Sequence, residues 1–148
     1  GEEAVKQVAA QVAQGAQQIS VLLFHGERFE DALVWGEVAE KFSETAYETH
    51  GEPVLPVYVT SQINLISFHE KAGNFAAGED ALFKALDVVG NNAQILERGK
   101  AFYETCRKQA DSRLEAGNLP REEVEDSYKE VLRRIEENPV QEGEATAS

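Results

Sequence analysis

Two of the three histidines stand in echoing stretches, FHGERFEDAL from Phe24 and FHEKAGNFAAGEDAL from Phe68. Imidazole can move protons or hold a metal near neutral pH, so His25 and His69 are the first candidates for chemistry. His25 has no metal-ligating partner at helical spacing, however, and no HExxH pattern surrounds His69. Both are expected to pack or to line a groove. His50 precedes Gly51 at a helix end, where partial positive charge is favoured without any catalytic role. Cys106 is the only cysteine, which excludes an internal disulfide and a two-cysteine zinc site. A nucleophilic thiol needs a nearby base; none is indicated, and Cys106 is expected in the core beside Tyr103 and Ala110. The acidic pairs Glu122-Glu123 and Glu136-Glu137 lie near helix ends and are expected on a solvated face. The expectation is therefore a protein that is not an enzyme, with no catalytic residue, no metal and no cofactor.

These residues must be positioned by helices. Residues 3–25 place Val5, Val8, Val12, Ala16, Ile19 and Leu23 three or four apart, a stripe expected to face the core. Gly26 breaks that helix. A second helix is expected over 29–50, with Phe29, Ala32, Gly36, Ala39 and Ala46 on one face and Trp35, Val38 and Phe42 beside them. The stretch PVLPVYV, 53–59, has the β-branched composition of a strand. Nothing else in the chain alternates well enough to pair with it, and proline suits a helix entrance. The spacing thus predicts a third helix over 54–72. Three Gly-Asn pairs, at 73, 90 and 117, punctuate the rest, the glycine suited to a left-handed residue after a helix and the asparagine to capping the next. They bracket a fourth helix over 75–89 and a fifth over about 92–116. A sixth begins near Pro120 and carries Val124, Tyr128, Val131 and Ile135. The tail after Pro139 is expected to be disordered, leaving one helical domain over 1–138.

With 27 acidic against 14 basic residues, the formal net charge is −13. Such a surface repels phosphate backbones and anionic lipids, so neither nucleic acid nor membrane is an expected partner. The chain starts at Gly1 and contains no methionine, which predicts a processed or trimmed N-terminus. The lone cysteine fits a reducing, cytoplasmic setting but does not exclude an exported one.

Six helices joined by short links make three antiparallel hairpins, and the corners at Phe29, Phe75 and Leu119 recur at offsets in the range of helical-repeat arrays. At these corners the sequence resembles the tetratricopeptide repeat (TPR). Gly73, Phe75, Gly78, Ala85 and Leu86 occupy that family's turn glycine, turn aromatic, small positions and final leucine. The first copy matches with Phe29, Ala32, Ala39 and, one residue displaced, Gly26. The third keeps Gly117 and Leu119 but has Glu122 where a small residue belongs, and looks like a terminal cap. The long link ETHGEPVLP, followed by Asn64-Leu65, is similar to the longer, kinesin-light-chain type of repeat.

The resemblance implies an all-α, right-handed superhelix of three hairpins whose first helices line a concave groove for a protein or peptide partner. That groove would hold Gln14, Gln17, Val21, Phe24 and His25, then Thr60, Ile63, Asn64, Ser67 and Lys71, then Glu104, Arg107, Lys108 and Asp111. Co-chaperones of the family grip a terminal carboxylate with lysine, arginine and asparagine at groove positions. Asn64 and Lys108 with Arg107 stand near two of these, but Gln17 and Val21 replace the lysine and asparagine expected in the first repeat, so that activity is excluded. The alternatives are a self-associating unit, with a homodimer as the simplest form, and a small-ligand or metal sensor.

Overall fold

The computed structural model describes residues 2–138. Among these every regular element is helical: α1 (Glu2–His25), α2 (Phe29–His50), a 3-10 turn (Glu52–Val54), α3 (Leu55–Ala72), α4 (Phe75–Val89), α5 (Ala93–Arg107), α6 (Asp111–Ala116) and α7 (Arg121–Glu136). The PVLPVYV stretch enters α3 as expected, Pro53 lying in the 3-10 turn and Pro56 in the first turn of the helix, where a missing N–H leaves no partner stranded. No helix among the described residues is long and apolar enough to cross a membrane. The expected disordered tail lies outside the described residues. The chain divides into two compact units, with the boundary between Ala72 and Gly73.

In the first unit α3 packs on both α1 and α2, and α1 and α2 form the tightest pair. The reason is the size of the residues between them. The buried face of α2 is Ala32, Gly36, Ala39, Ser43 and Ala46, and the buried residues of α1 are Ala9, Ala13, Ala16 and Ser20. Small side chains let helix axes approach to about 8 Å. A Cβ on Gly36 would stand 3.0 Å from Leu65 Cδ2 and 3.3 Å from Phe68, so α3 presses on the same stripe. Phe24, Phe29 and Phe68 close the corner, with Phe24 stacked on Phe68 at 4.9 Å and edge-on to Phe29 at 5.5 Å.

This packing corrects the expected orientation of α1. Val5, Val8, Val12 and Ile19 are exposed, and only Ala16 of the expected stripe is fully buried. The alanine row lies about a quarter turn from the valine row, and close backbone approach to α2 wins over burial of the larger side chains. Trp35 is likewise exposed on α2, next to exposed Val34, because the small-residue face of that helix is the one turned inward.

The second unit holds its own core, with Phe75, Leu82, Ile95, Phe102, Tyr103, Leu114, Leu119, Val124 and Val131 buried. None of the expected asparagines, Asn74, Asn91 and Asn118, caps the following helix with its side chain. Asn92 accepts from the N–H groups of Gln94 and Ile95 at 2.9 and 3.1 Å, whereas Asn74 makes no side-chain cap. Asn91 instead ties the end of α7, through Arg134 Nη1 to its side chain at 3.2 Å and Asn138 Nδ2 to its carbonyl at 3.0 Å.

The expected six helices are seven, because the fifth breaks at Lys108–Ala110. Both α4 and α5 have 15 residues, about 22 Å of helix, so α5 ends where its neighbour begins. The short α6 then turns back, and the Ala76 N–H donates to the Gly117 carbonyl at 2.9 Å. No glycine or proline marks the break. Arg121 fixes it from α7, donating to the Arg107 carbonyl at 3.1 Å and to Asp111.

Candidate functional site

Between α1 and α3 runs an open groove of about 540 Å³, lined by Gln17, Gln18, Val21, Leu22, Thr60 and Asn64. Its floor is a polar tie. Gln17 Nε2 donates to the Val57 carbonyl and to Ser61 Oγ, each at 2.8 Å, and Ser61 Oγ donates to the Ala39 carbonyl at 3.3 Å. One amide thereby links α1 to α3, and one hydroxyl links α3 to α2, which fixes the width of the groove. Above that floor, Val21 and Leu22 offer an apolar wall to the Thr60 hydroxyl and the Asn64 amide. An apolar wall with a few polar groups suits a side chain of an extended or helical segment together with its backbone polar groups. No charged residue lines it.

Four of the residues expected to form the groove therefore meet here: Gln17, Val21, Thr60 and Asn64. Ile63 and Ser67 lie half-buried on α3, and Lys71 is exposed near its end. Phe24 belongs to the aromatic corner, with the exposed His25 edge-on to it at 5.9 Å. Gln18 and Leu22 were not expected in the lining. Both lie one residue from an anticipated position, which is the error that a helical register carries when no neighbour fixes its rotation.

A second depression, of about 550 Å³, lies in the other unit and gathers Glu104 and Arg107 of α5, Lys108 just beyond its end, and Tyr128 of α7. Here the Arg107 guanidinium is already engaged. Arg107 Nε donates to Glu125 Oε2 at 3.0 Å, its guanidinium lies 4.8 Å from the Tyr128 ring centre, and Tyr128 donates to Glu104 at 3.3 Å. Glu104 and Glu125 balance Arg107 and Lys108, so no net positive charge is left to seat a peptide carboxylate. Asp111 accepts from Arg121 Nε at 2.5 Å and belongs to the break between α5 and α6.

The titratable group most displaced toward neutrality was not anticipated. Glu79 of α4 accepts from the Tyr103 hydroxyl at 2.7 Å and shares hydrogen bonds with Glu123 and Ser127 of α7. Burial, and then the second carboxyl, push Glu79 from its ordinary 4.5 up to about 7, against the opposing bonds from Tyr103 and Ser127. Burial and the Glu79 charge push the Tyr103 phenol up as well. The folded protein thus keeps a proton that the unfolded chain releases. That contribution to stability is present at low pH and is lost as pH rises from about 4.5 through about 7. In a partly solvated pair it amounts to about 1–2 kcal/mol, or a few degrees in melting temperature. Glu79→Gln, which keeps the bond from Tyr103 and can donate to Glu123, is expected to melt above wild type at about pH 8 and to converge on it near pH 5. A constant difference between the two proteins across that range would exclude the shared proton.

Cys106 is fully buried among the α5 core residues, while Ala110, expected beside it, is exposed at the start of α6. Among the described residues, no three His, Cys, Asp or Glu side chains are grouped so as to hold a metal ion. In comparison with known proteins, residues 7–136 match the model of a family of unknown function, DUF6483, and the match runs through both units. No curated protein matches the chain.

Proposed function

The chain belongs to the DUF6483 family, and we propose that it is a non-enzymatic, TPR-like interaction module that holds a protein segment in the α1–α3 groove. The observation that carries this reading is the groove itself, open, uncharged and walled by Val21 and Leu22 opposite Thr60 and Asn64. Supporting it, α3 packs on both helices of the preceding hairpin, as the first helix of a following repeat does in the family the sequence resembles. The small residues expected at close helix contacts, Ala32, Ala39, Gly78 and Ala85, are all buried. The right-handed superhelix is part of the same proposal. A bound segment would place an apolar side chain against Val21 and Leu22 and hydrogen-bond its backbone to the Asn64 amide.

Peptides selected by display against the full chain supply the test. Thr60→Ala with Asn64→Ala is expected to weaken a selected peptide about tenfold, the loss of one or two hydrogen bonds. Both residues lie at the surface of the groove rather than in the core, so the melting temperature should stay near that of wild type. Arg107→Ala with Lys108→Ala, in the other depression, should leave affinity unchanged. Unaltered binding by the Thr60/Asn64 variant would refute the groove as the site.

A further inference from the structure

The outward face of α1 has no partner among the described residues. Val5, Val8, Val12, Ile19 and Leu22 are between 38 and 72% exposed, and with Gly15 they form one row. Single apolar residues at a surface need no explanation, but a contiguous row marks an interaction site. We infer that two copies of the chain pair antiparallel through this row, α1 against the partner's α1.

Four observations select a second copy as the occupant. The first is symmetry. The row runs 5, 8, 12, 15, 19, 22, with steps of three and four that read the same from either end. A two-fold axis therefore sets Val5 opposite the partner's Leu22, Val8 opposite the partner's Ile19, and Val12 opposite the partner's Gly15. Such a two-fold interface is self-complementary, and the seven-residue spacing is that of a helix-pairing seam.

The second is Gly15. Glycine weakens a helix interior, and a Cβ at Gly15 would meet nothing within 4 Å, so no packing among the described residues requires it. At the middle of the row, its missing side chain lets a second helix approach closely and receives the partner's Val12.

The third is charge. Residues 7–26 contain no Asp, Glu, Lys or Arg, in a chain where 28% of residues are charged and the net charge is −13. Two such molecules repel one another except through an uncharged face, and depletion of charge is what marks the centre of an interface. The neighbouring helix α2, by contrast, carries Glu37, Glu40, Glu44 and Glu48. Parallel pairing would set Glu3 against the partner's Glu3 and Lys6 against the partner's Lys6. Antiparallel pairing moves these like charges to opposite ends and opposes the helix dipoles.

The fourth is area. The row from Val5 to Leu22 is about 27 Å long on a helix about 10 Å across, so half that cylinder offers roughly 420 Å². Two copies would then cover about 850 Å², in the range of weak, reversible contacts rather than permanent ones.

The experiment is sedimentation of the full chain from micromolar to several hundred micromolar concentration. Wild type should pass from monomer to dimer, and added salt should strengthen the dimer by screening the net charge. Val12→Glu should weaken dimerisation at least tenfold. Gly15→Leu should do the same while raising helix propensity, so a lost dimer could not be ascribed to a damaged fold. Neither residue lines the α1–α3 groove; Leu22, at the end of the row, is shared with its wall, so a dimer and a groove-bound segment would compete there. Under mild oxidation, Val8→Cys mixed with Ile19→Cys should cross-link, and Val8→Cys alone should not; Cys106 is buried and should not interfere. A wild type that stays monomeric throughout would overturn the inference, even if the face captured some other helix. Unchanged dimerisation of both surface variants, or efficient cross-linking of Val8→Cys with itself, would overturn it too.

Discussion

Arginine in place of Ala39 or Ala85 is expected to unfold the compact unit that contains it. Ala39 is 1% exposed on the buried face of α2, and Ser61 Oγ donates to its backbone carbonyl at 3.3 Å from α3. Ala85 is fully buried in the middle of α4. Two costs combine at either site. A long side chain forced between close-packed helices costs about 1–3 kcal/mol in displaced neighbours. An unpaired charge left in the interior costs about 3–5 kcal/mol more. Against a total stability of about 5–15 kcal/mol, that is enough to remove the folded state or to leave it marginal. Circular dichroism and thermal melting are the measurements. Ala39→Gly is the control, expected to cost only about 1 kcal/mol through helix propensity. Melting of Ala39→Arg within a few degrees of wild type would show that α2 does not turn this face inward. The same outcome for Ala85→Arg would show it for α4.

Gly117→Ala is expected to destabilise the second unit by about 2–3 kcal/mol, although it adds a single methyl group. The methyl would stand 2.5 Å from the Gly73 carbonyl oxygen, 2.7 Å from a Phe75 ring carbon and 3.1 Å from the Phe75 amide nitrogen. Two of those three atoms are backbone and cannot swing aside as a side chain can. The hydrogen bond from the Ala76 N–H to the Gly117 carbonyl holds the two segments together at this point, so relief of the clash strains that bond. Gly26→Ala is the natural comparison. Its methyl would meet carbonyl oxygens at 3.5 and 3.6 Å, an ordinary contact, and its effect should stay within about 0.5 kcal/mol. Chemical denaturation of the two variants beside wild type tests the difference. Equal stabilities would mean that the approach of α6 to the start of α4 is looser than the structure has it.

The opposite roles of these glycines show where sequence stops. Three Gly-Asn pairs look alike, yet Gly73 and Gly90 take the left-handed conformation while at the third pair Asn118 takes it and Gly117 does not. Gly117 is needed for proximity to a segment more than forty residues earlier, and no local pattern encodes that neighbour. At the first corner the left-handed residue is Glu27 rather than Gly26. Turn chemistry marked where these helices end, but which residue absorbs the turn depended on what packs against it.

Helix existence was legible because spacing of three and four, glycine stops and proline entrances are local properties that act before any tertiary contact forms. The second and fourth helices therefore appear over the residues expected, and PVLPVYV is helical because the chain holds nothing for a strand to pair with. Helix rotation was not legible. The first helix has two apolar rows, one of alanine and one of valine, and periodicity favours the larger residues. Close approach to the small-residue face of α2 selected the alanines and turned the valines to solvent. The break after Arg107 and the Glu79–Glu123–Tyr103 cluster were hidden for a related reason. The first follows from matched helix lengths and the grip of Arg121, the second from three helices meeting. Periodicity, glycine stops and proline entrances determined that the described residues are helical, because they act locally; packing between distant segments decided which helix faces turn inward and which stay at the surface.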